Sequence, residues 1–231
     1  SGEIGAAFGW ETAYWVAALC AAAAFIVVFF VLKPVTPEEP EEHVALFDFR
    51  PVLRNRAALG FIIGYGIHNW ELFALRSWLV AFLVFVLLQQ SEQSLWPAPT
   101  VIATLSALVA VLASIGGNEL AEKYDRRRMI AIYMMLSGGV GLVAGFLGGG
   151  PYWMVVLVML VYAAFIQLDS AAYTAGVISV AAEGRRGAAL GLHSLVGFGD
   201  AAIGPLAVGL VLDLSGGAGS TTAWGLGFAS V

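Results

Sequence analysis

Between Thr12 and Leu32 no residue is charged, and the stretch ends at once on Lys33 and Pro34. A helix rises about 1.5 Å per residue, so roughly 20 apolar residues in a row cover the ~30 Å of hydrocarbon in a bilayer. The constraint is severe, because in lipid every backbone N–H and C=O must be paired within the segment or around a closed barrel. Alternating segments of the barrel type are absent, so these stretches read as helices. Marking apolar runs between charges, prolines and glycine clusters gives six spans, about 10–32, 57–88, 97–116, 129–148, 151–181 and 187–214, with an apolar stub from 221. The expected fold class is therefore all-α, a polytopic transmembrane helical bundle.

Composition agrees, with 60% of the 231 residues hydrophobic and 12% charged, outside the balance of a soluble domain. The net charge of −5 says little about partners, since acidic residues cluster in one segment, "TPEEPEEHVALFD", and are otherwise scattered. Nothing resembles a basic nucleic-acid footprint. A lone cysteine, Cys20, excludes an intrachain disulfide. The three histidines, His43, His68 and His193, are scattered, which argues against a His-rich metal site. No His-Glu-x-x-His or Gly-x-Ser-x-Gly pattern occurs. No metal, cofactor or enzymatic activity is expected. The sequence opens at Ser1 without a basic leader and stops at Val231 inside an apolar stretch, so it reads as a piece of a longer protein, cut at both ends.

Lys and Arg remain on the cytoplasmic side of short loops and so give the orientation. Lys33, Arg50, Arg54 and Arg56 share one loop, Lys123 and Arg126 to Arg128 the next but one, and Arg185 and Arg186 lie two loops further on. Loops 33–56, 117–128 and 182–186 therefore read as cytoplasmic, and the alternate loops contain no Lys or Arg. Arg76 alone breaks the pattern. Glycine pairs four apart, Gly60 and Gly64, Gly141 and Gly145, Gly187 and Gly191, read as close helix contacts.

Several ionisable groups lie inside the spans. By helical rise His68 stands about 18 Å from the level of Arg56, Glu71 about 22 Å and Arg76 about 30 Å. Asp169 stands about 24 Å from Arg185, and Asp200 about 21 Å from Arg186. Three carboxylates from three helices thus share one depth. An ion there costs several kcal/mol unless paired, neutralised or wet, so such groups mark a pathway, a proton site or a structural ion pair. At 100° per residue Tyr65, Asn69, Leu72 and Arg76 fall on one stripe; His68 and Glu71 can touch, whereas Glu71 lies about 140° from Arg76. Arg76 bridging Asp169 or Glu71 across a dry interface is the structural alternative, as is Asp200 capping a backbone group freed by Pro205.

The loop "GGNELAEKYDRRRMI" resembles the signature loop of the major facilitator superfamily, with Leu120, Ala121, Glu122, Lys123, Arg126, Arg127 and Arg128 in register. Gly117 lies one residue further from the acid than in that signature, and Asp125 stands at its turn glycine, where an acid makes a tight turn harder. "GRRGAALGLHSLVGFGDAAIGPLAVGLVLDL" is similar to the basic loop and eleventh helix of that family, with Asp200 in place of a glycine. "FGWETAYWVAALCAAAAFIVVFFVLKP" resembles its sixth helix and exit.

The resemblance implies that residues 1–33 form the sixth helix, 34–56 the cytoplasmic linker between the halves, and 57–231 the C-terminal bundle of a twelve-helix protein whose helices one to five lie upstream. It implies a secondary transporter in the plasma membrane of a bacterium, working by alternating access on a small solute, with protons, the bilayer and the N-terminal half as partners. Arg76 would meet an anionic group of an organic or inorganic substrate, with Trp78 as an aromatic wall and Tyr65, Asn69, Gln167 and Tyr173 as hydrogen-bonding groups. Glu71 beside His68, or Asp169, with Asp200, would carry the coupling proton. Gly117, Glu122, Lys123, Asp125, Arg126, Arg127 and Arg128 would form the gating loop. A cationic-drug efflux exchanger is the alternative if Asp169 neutralises Arg76; an intramembrane enzyme and a non-transporting scaffold follow.

Overall fold

The structure, a computed structural model, describes residues 2–33, 48–90 and 97–231. His43 and most of the acidic segment lie outside the described residues, as do 34–47 of the expected linker and 91–96 of the next loop. The described residues are helical, without strands, and six helices are long and apolar enough to cross a membrane.

The chain divides into two units, 1–44 and 45–231. In the first, α1 (Gly2–Phe8) leads into α2 (Trp10–Val31). Thr12 Oγ1 donates to the Phe8 carbonyl at 2.8 Å across the junction. Apolar side chains cover α2 on every side, from Trp15 and Leu19 to Phe25 and Phe29, the pattern of a helix that sits in lipid or protein rather than water.

The second unit comprises α3 (Arg50–Arg54), α4 (Arg56–Leu88), α5 (Pro99–Lys123), α6 (Arg126–Ala144) with a 3-10 turn at Gly145–Gly149, α7 (Tyr152–Gln167), α8 (Ser170–Val180), α9 (Arg186–Leu214) and α10 (Thr221–Ala229). The central element is α4, which packs most extensively on α9 and also meets α7 and α8, while α5 lies along α7. Asn55 starts α4: its Oδ1 accepts from the backbone of Ala57 and Ala58 at 3.1 Å, satisfying two of the donors a helix start leaves free. Its Nδ2 donates to the carbonyl of Val180 at 2.7 Å, tying that start to the end of α8. At the opposite end Gln89 and Gln90 reach the carbonyls of Gly148 and Gly150 at 3.1 and 3.3 Å.

Two apolar clusters fill this unit. One joins Leu79, Phe82 and Val86 to Val155, Met159, Trp224 and Phe228. The other joins Ala58, Phe61 and Ile62 to Ala172, Val177 and Ala189. Between them along α4 and the α7–α8 segment lie His68, Asn69, Glu71 and Asp169, all buried. A polar layer is thus enclosed between two dry ones.

Two differences from the sequence reading bear on function. The regular hydrogen bonding of the span at 151–181 breaks locally: Leu168 and Asp169 form a turn between α7 and α8 while keeping right-handed helical dihedrals, and the Leu168 N–H reaches back only three residues, to Phe165, at 3.3 Å. And α5 continues as helix to Lys123, leaving only Tyr124 and Asp125 between α5 and α6. Gly117, Glu122 and Lys123 therefore stand on a helix rather than in a loop. Asp125 has φ −84°, so no left-handed turn is required there. Its carboxylate accepts from the Arg128 backbone at 2.8 Å, and the acid that looked awkward in a glycine's place is the N-cap of α6.

Candidate functional site

The polar layer begins with His68 on α4, whose Nδ1 lies 2.8 Å from Asp169 Oδ1 at the α7–α8 break. The two side chains are 1% and 4% exposed, so no water replaces either partner for the other. Tyr65, one turn away, stacks its ring on His193 of α9 with centroids 3.8 Å apart and planes at 15°, and lies nearly parallel to His68 at 5.7 Å. The His193 Nε2 is 3.3 Å from Thr174 Oγ1 on α8. Among the described residues His68 Nε2, His193 Nδ1 and Asp169 Oδ1 make no hydrogen bond, so the close approach of His68 and Asp169 is a charge-type contact not aligned as a hydrogen bond.

Glu71 points elsewhere. Its Oε2 accepts from Ser137 Oγ on α6 at 3.0 Å, and both residues are buried. The Tyr162 hydroxyl of α7 is held in the same region, pressed against Gly141 one turn beyond Ser137 and interacting with the Glu71 carboxyl. It does not reach hydrogen-bond geometry, and Glu71 Oε1 is likewise without a partner among the described residues. The expected His68–Glu71 contact therefore gives way to two separate pairs, His68 with Asp169 and Glu71 with Ser137.

The break that presents Asp169 is held from outside. A Cβ on Gly117 of α5 would land on the Leu168 carbonyl, so that backbone approach requires glycine. Tyr133 of α6 donates its hydroxyl to the Gly117 carbonyl at 3.1 Å. A similar approach occurs at Gly66, where a Cβ would meet the carboxylate of Asp200 on α9. Asp200 is half-buried against α4, oriented to that helix's backbone.

Arg76 stands apart from all of these. It is exposed, its guanidinium lies 5.7 Å from the Phe73 ring centre, and no carboxylate among the described residues pairs with it. It borders a cavity of about 180 Å³ between α4, α5 and α7, walled by Leu72, Leu75, Leu79, Ser106, Ala107 and neighbouring alanines. Tyr65 and Asn69 do not share this cavity, although the helical wheel puts them on the Arg76 stripe. Tyr65 and Arg76 are about 16 Å apart along the axis, and the neighbour of that stripe changes with height. Near Tyr65 and Asn69 it is Gly197 of α9; near Arg76 it is α5.

The remaining expected substrate groups have other partners. Asn69 Nδ2 donates to the Tyr65 carbonyl at 3.0 Å in its own helix. Trp78 Nε1 donates to the Pro205 carbonyl at 2.9 Å and the ring packs on Trp224, joining α4 to α9 and α10 rather than walling the Arg76 cavity. Tyr173 directs its hydroxyl at Met134 Sδ, 2.9 Å away. Gln167 is half-buried with its Oε1 unpartnered among the described residues. At the α5–α6 corner Glu122 meets Arg126 at 3.6 Å and accepts from Asn118 at 3.3 Å. Arg127 and Arg128 are exposed on the same first turn of α6.

Ser137, Tyr162, His193 and Thr174 complete the polar layer and were not singled out as site residues from the sequence. Only His193 carries a signal legible there, as an ionisable group inside a span. Among the described residues no three His, Cys, Asp or Glu side chains gather as metal ligands would. Comparison of the chain with protein-family models, with curated proteins and with solved structures finds no match.

Proposed function

We propose that this chain is part of a secondary active transporter that moves a small anion by alternating access, coupled to protons. The reading rests above all on the enclosed polar layer, in which His68, Asp169 and Glu71 stand at one depth within helices apolar enough to cross a membrane. Buried ionisable groups in such helices are costly and are typical of ion and substrate pathways.

In this reading Arg76, permanently charged, receives the anionic substrate. That no carboxylate among the described residues pairs with it favours an anion over a cationic drug, since Asp169 lies against His68. Glu71 and the His68–Asp169 pair take up and release the coupling proton. The short α5–α6 corner, with Glu122, Arg126 and Asp125, belongs to the cytoplasmic gate. In this reading the chain supplies the C-terminal half of a major facilitator, preceded by one helix of the other half, in a bacterial plasma membrane.

The test is uptake into proteoliposomes containing the full-length protein, with labelled acetate, phenylacetate, succinate and inorganic phosphate, under an imposed pH gradient. Glu71→Gln and Asp169→Asn should abolish gradient-driven accumulation, and Arg76→Ala should abolish transport. Unchanged uptake in Arg76→Ala and Glu71→Gln sinks both assignments. Absence of any flux points instead to a scaffold whose buried pairs are structural.

A further inference from the structure

Among the described residues Arg76 supplies the one charge on the cavity beside it, and no Lys, His, Asp or Glu joins it in the lining. A ligand with two or more anionic groups would find one cation. The single hydroxyl, Ser106, donates its proton to the Ala103 carbonyl at 2.8 Å, leaving an acceptor that repels anionic oxygens. A sugar or other polyhydroxylated solute would leave most of its hydroxyls unpaired against leucine and alanine, at a cost for every buried polar group. What the walls reward is hydrocarbon. An apolar cavity of about 150 Å³ takes one benzene ring, and this one measures about 180 Å³.

We propose that this cavity binds a ligand carrying one anionic group on an apolar body about the size of a single ring, the anion on Arg76 and the body between Leu72, Leu75, Leu79 and Ala107. The proposal rests on the reading of Arg76 as the substrate's cation and gives that substrate a class. Five donors in a fixed fork suit a carboxylate or a phosphodiester. Two sources offer this chemistry: an aromatic or branched monocarboxylate from water, and an anionic lipid, since Arg76 lies about 30 Å along α4 from the level of Arg56, toward the end without basic residues.

The experiment uses the full-length protein in nanodiscs of phosphatidylcholine, with labelled phenylacetate as the probe. Saturable binding is expected, with affinity reduced about tenfold or more in Arg76→Gln, since a hydrogen bond to a charged group contributes ~1.5–3 kcal/mol. Ala107→Phe, which fills the cavity and keeps the cation, should weaken it as much. Phenylacetamide should compete at least about tenfold less well, and inorganic phosphate not at all. If phenylacetate does not bind but phosphatidylglycerol co-purifies with the parent protein and is lost from both variants, the same chemistry is met by a lipid. Neither ligand binding, or binding undiminished in both variants, overturns the proposal. Arg76-dependent binding without uptake sinks the transport reading alone; uptake of another solute without binding of either probe sinks this inference alone.

Discussion

The contact between His68 and Asp169 makes a quantitative demand. Both side chains are almost wholly excluded from solvent and stand 2.8 Å apart. If the pair is ionised, removing one member leaves a buried charge without its partner, which costs about 3–5 kcal/mol, while removing both costs much less. If both are neutral, the loss is at most that of one hydrogen bond, about 1 kcal/mol, and less for an approach not aligned as one. The cycle of His68→Gln, Asp169→Asn and the double variant separates these cases, read as reversible unfolding in mixed micelles by tryptophan fluorescence. An ionised pair would give a coupling energy of at least about 2 kcal/mol, within the range of residues in direct contact. Each single variant should lose roughly 6–20 °C of Tm, at ~2–4 °C per kcal/mol for a domain of this size. The double variant should recover most of that loss. Single effects that add to within about 0.5 kcal/mol refute the contact, because only sites that share no partner add so closely.

Gly117→Ala drives a methyl group into the Leu168 carbonyl, and since backbone cannot rotate away as a side chain can, it should destabilise by about 1–3 kcal/mol in the same unfolding assay. Asp125→Ala removes the cap of α6 and should cost about 0.5–2 kcal/mol, with Asp125→Asn recovering most of it. Trp78→Phe loses the bond to the Pro205 carbonyl but keeps most of the ring packing, so a loss near 1 kcal/mol is expected. Ser137→Ala leaves Glu71 without its one hydrogen-bond donor and should cost about 1–3 kcal/mol; this should shrink clearly in a Glu71→Gln background.

The long helices were legible because lipid imposes a length, and a length can be read from hydropathy. Their ends were less so. Hydropathy falls at Asn118 and Glu119 while the helix runs on to Lys123, because the last turns of α5 place their polar groups outward and need no apolar surface. The break at Leu168 and Asp169 has no proline or glycine within it, so nothing local announces it; what lies against it is Gly117 of α5. Depth along each helix placed His68, Glu71 and Asp169 in one layer, but not their partners. Those depend on which neighbour each height of α4 meets, and a single-helix wheel does not contain that information. The glycine pairs divide in the same way: Gly64, Gly141 and Gly145 meet Tyr173, Tyr162 and Trp224, whereas Gly60 and Gly187 have no neighbour within 4 Å beyond their own helices.

A broken helix within a membrane-length segment is tolerated only where protein covers the backbone groups that the break loosens. Here the cover is Gly117, and it is fixed in turn by the Tyr133 hydroxyl on its carbonyl. The same α5 carries, within two turns of Gly117, the Asn118–Glu122–Arg126 contacts that lead into the corner with α6. Asp169 is the next residue after Leu168, and its carboxylate holds His68 of α4. The basic corner between α5 and α6 is thus connected to the buried pair through a backbone contact with no side chain to absorb displacement. A shift of the end of α5 must therefore carry the break and Asp169 with it or open the Gly117–Leu168 contact. Only the first result changes the distance between Asp169 and His68, so the corner and the buried pair are coupled for as long as the Gly117–Leu168 contact holds.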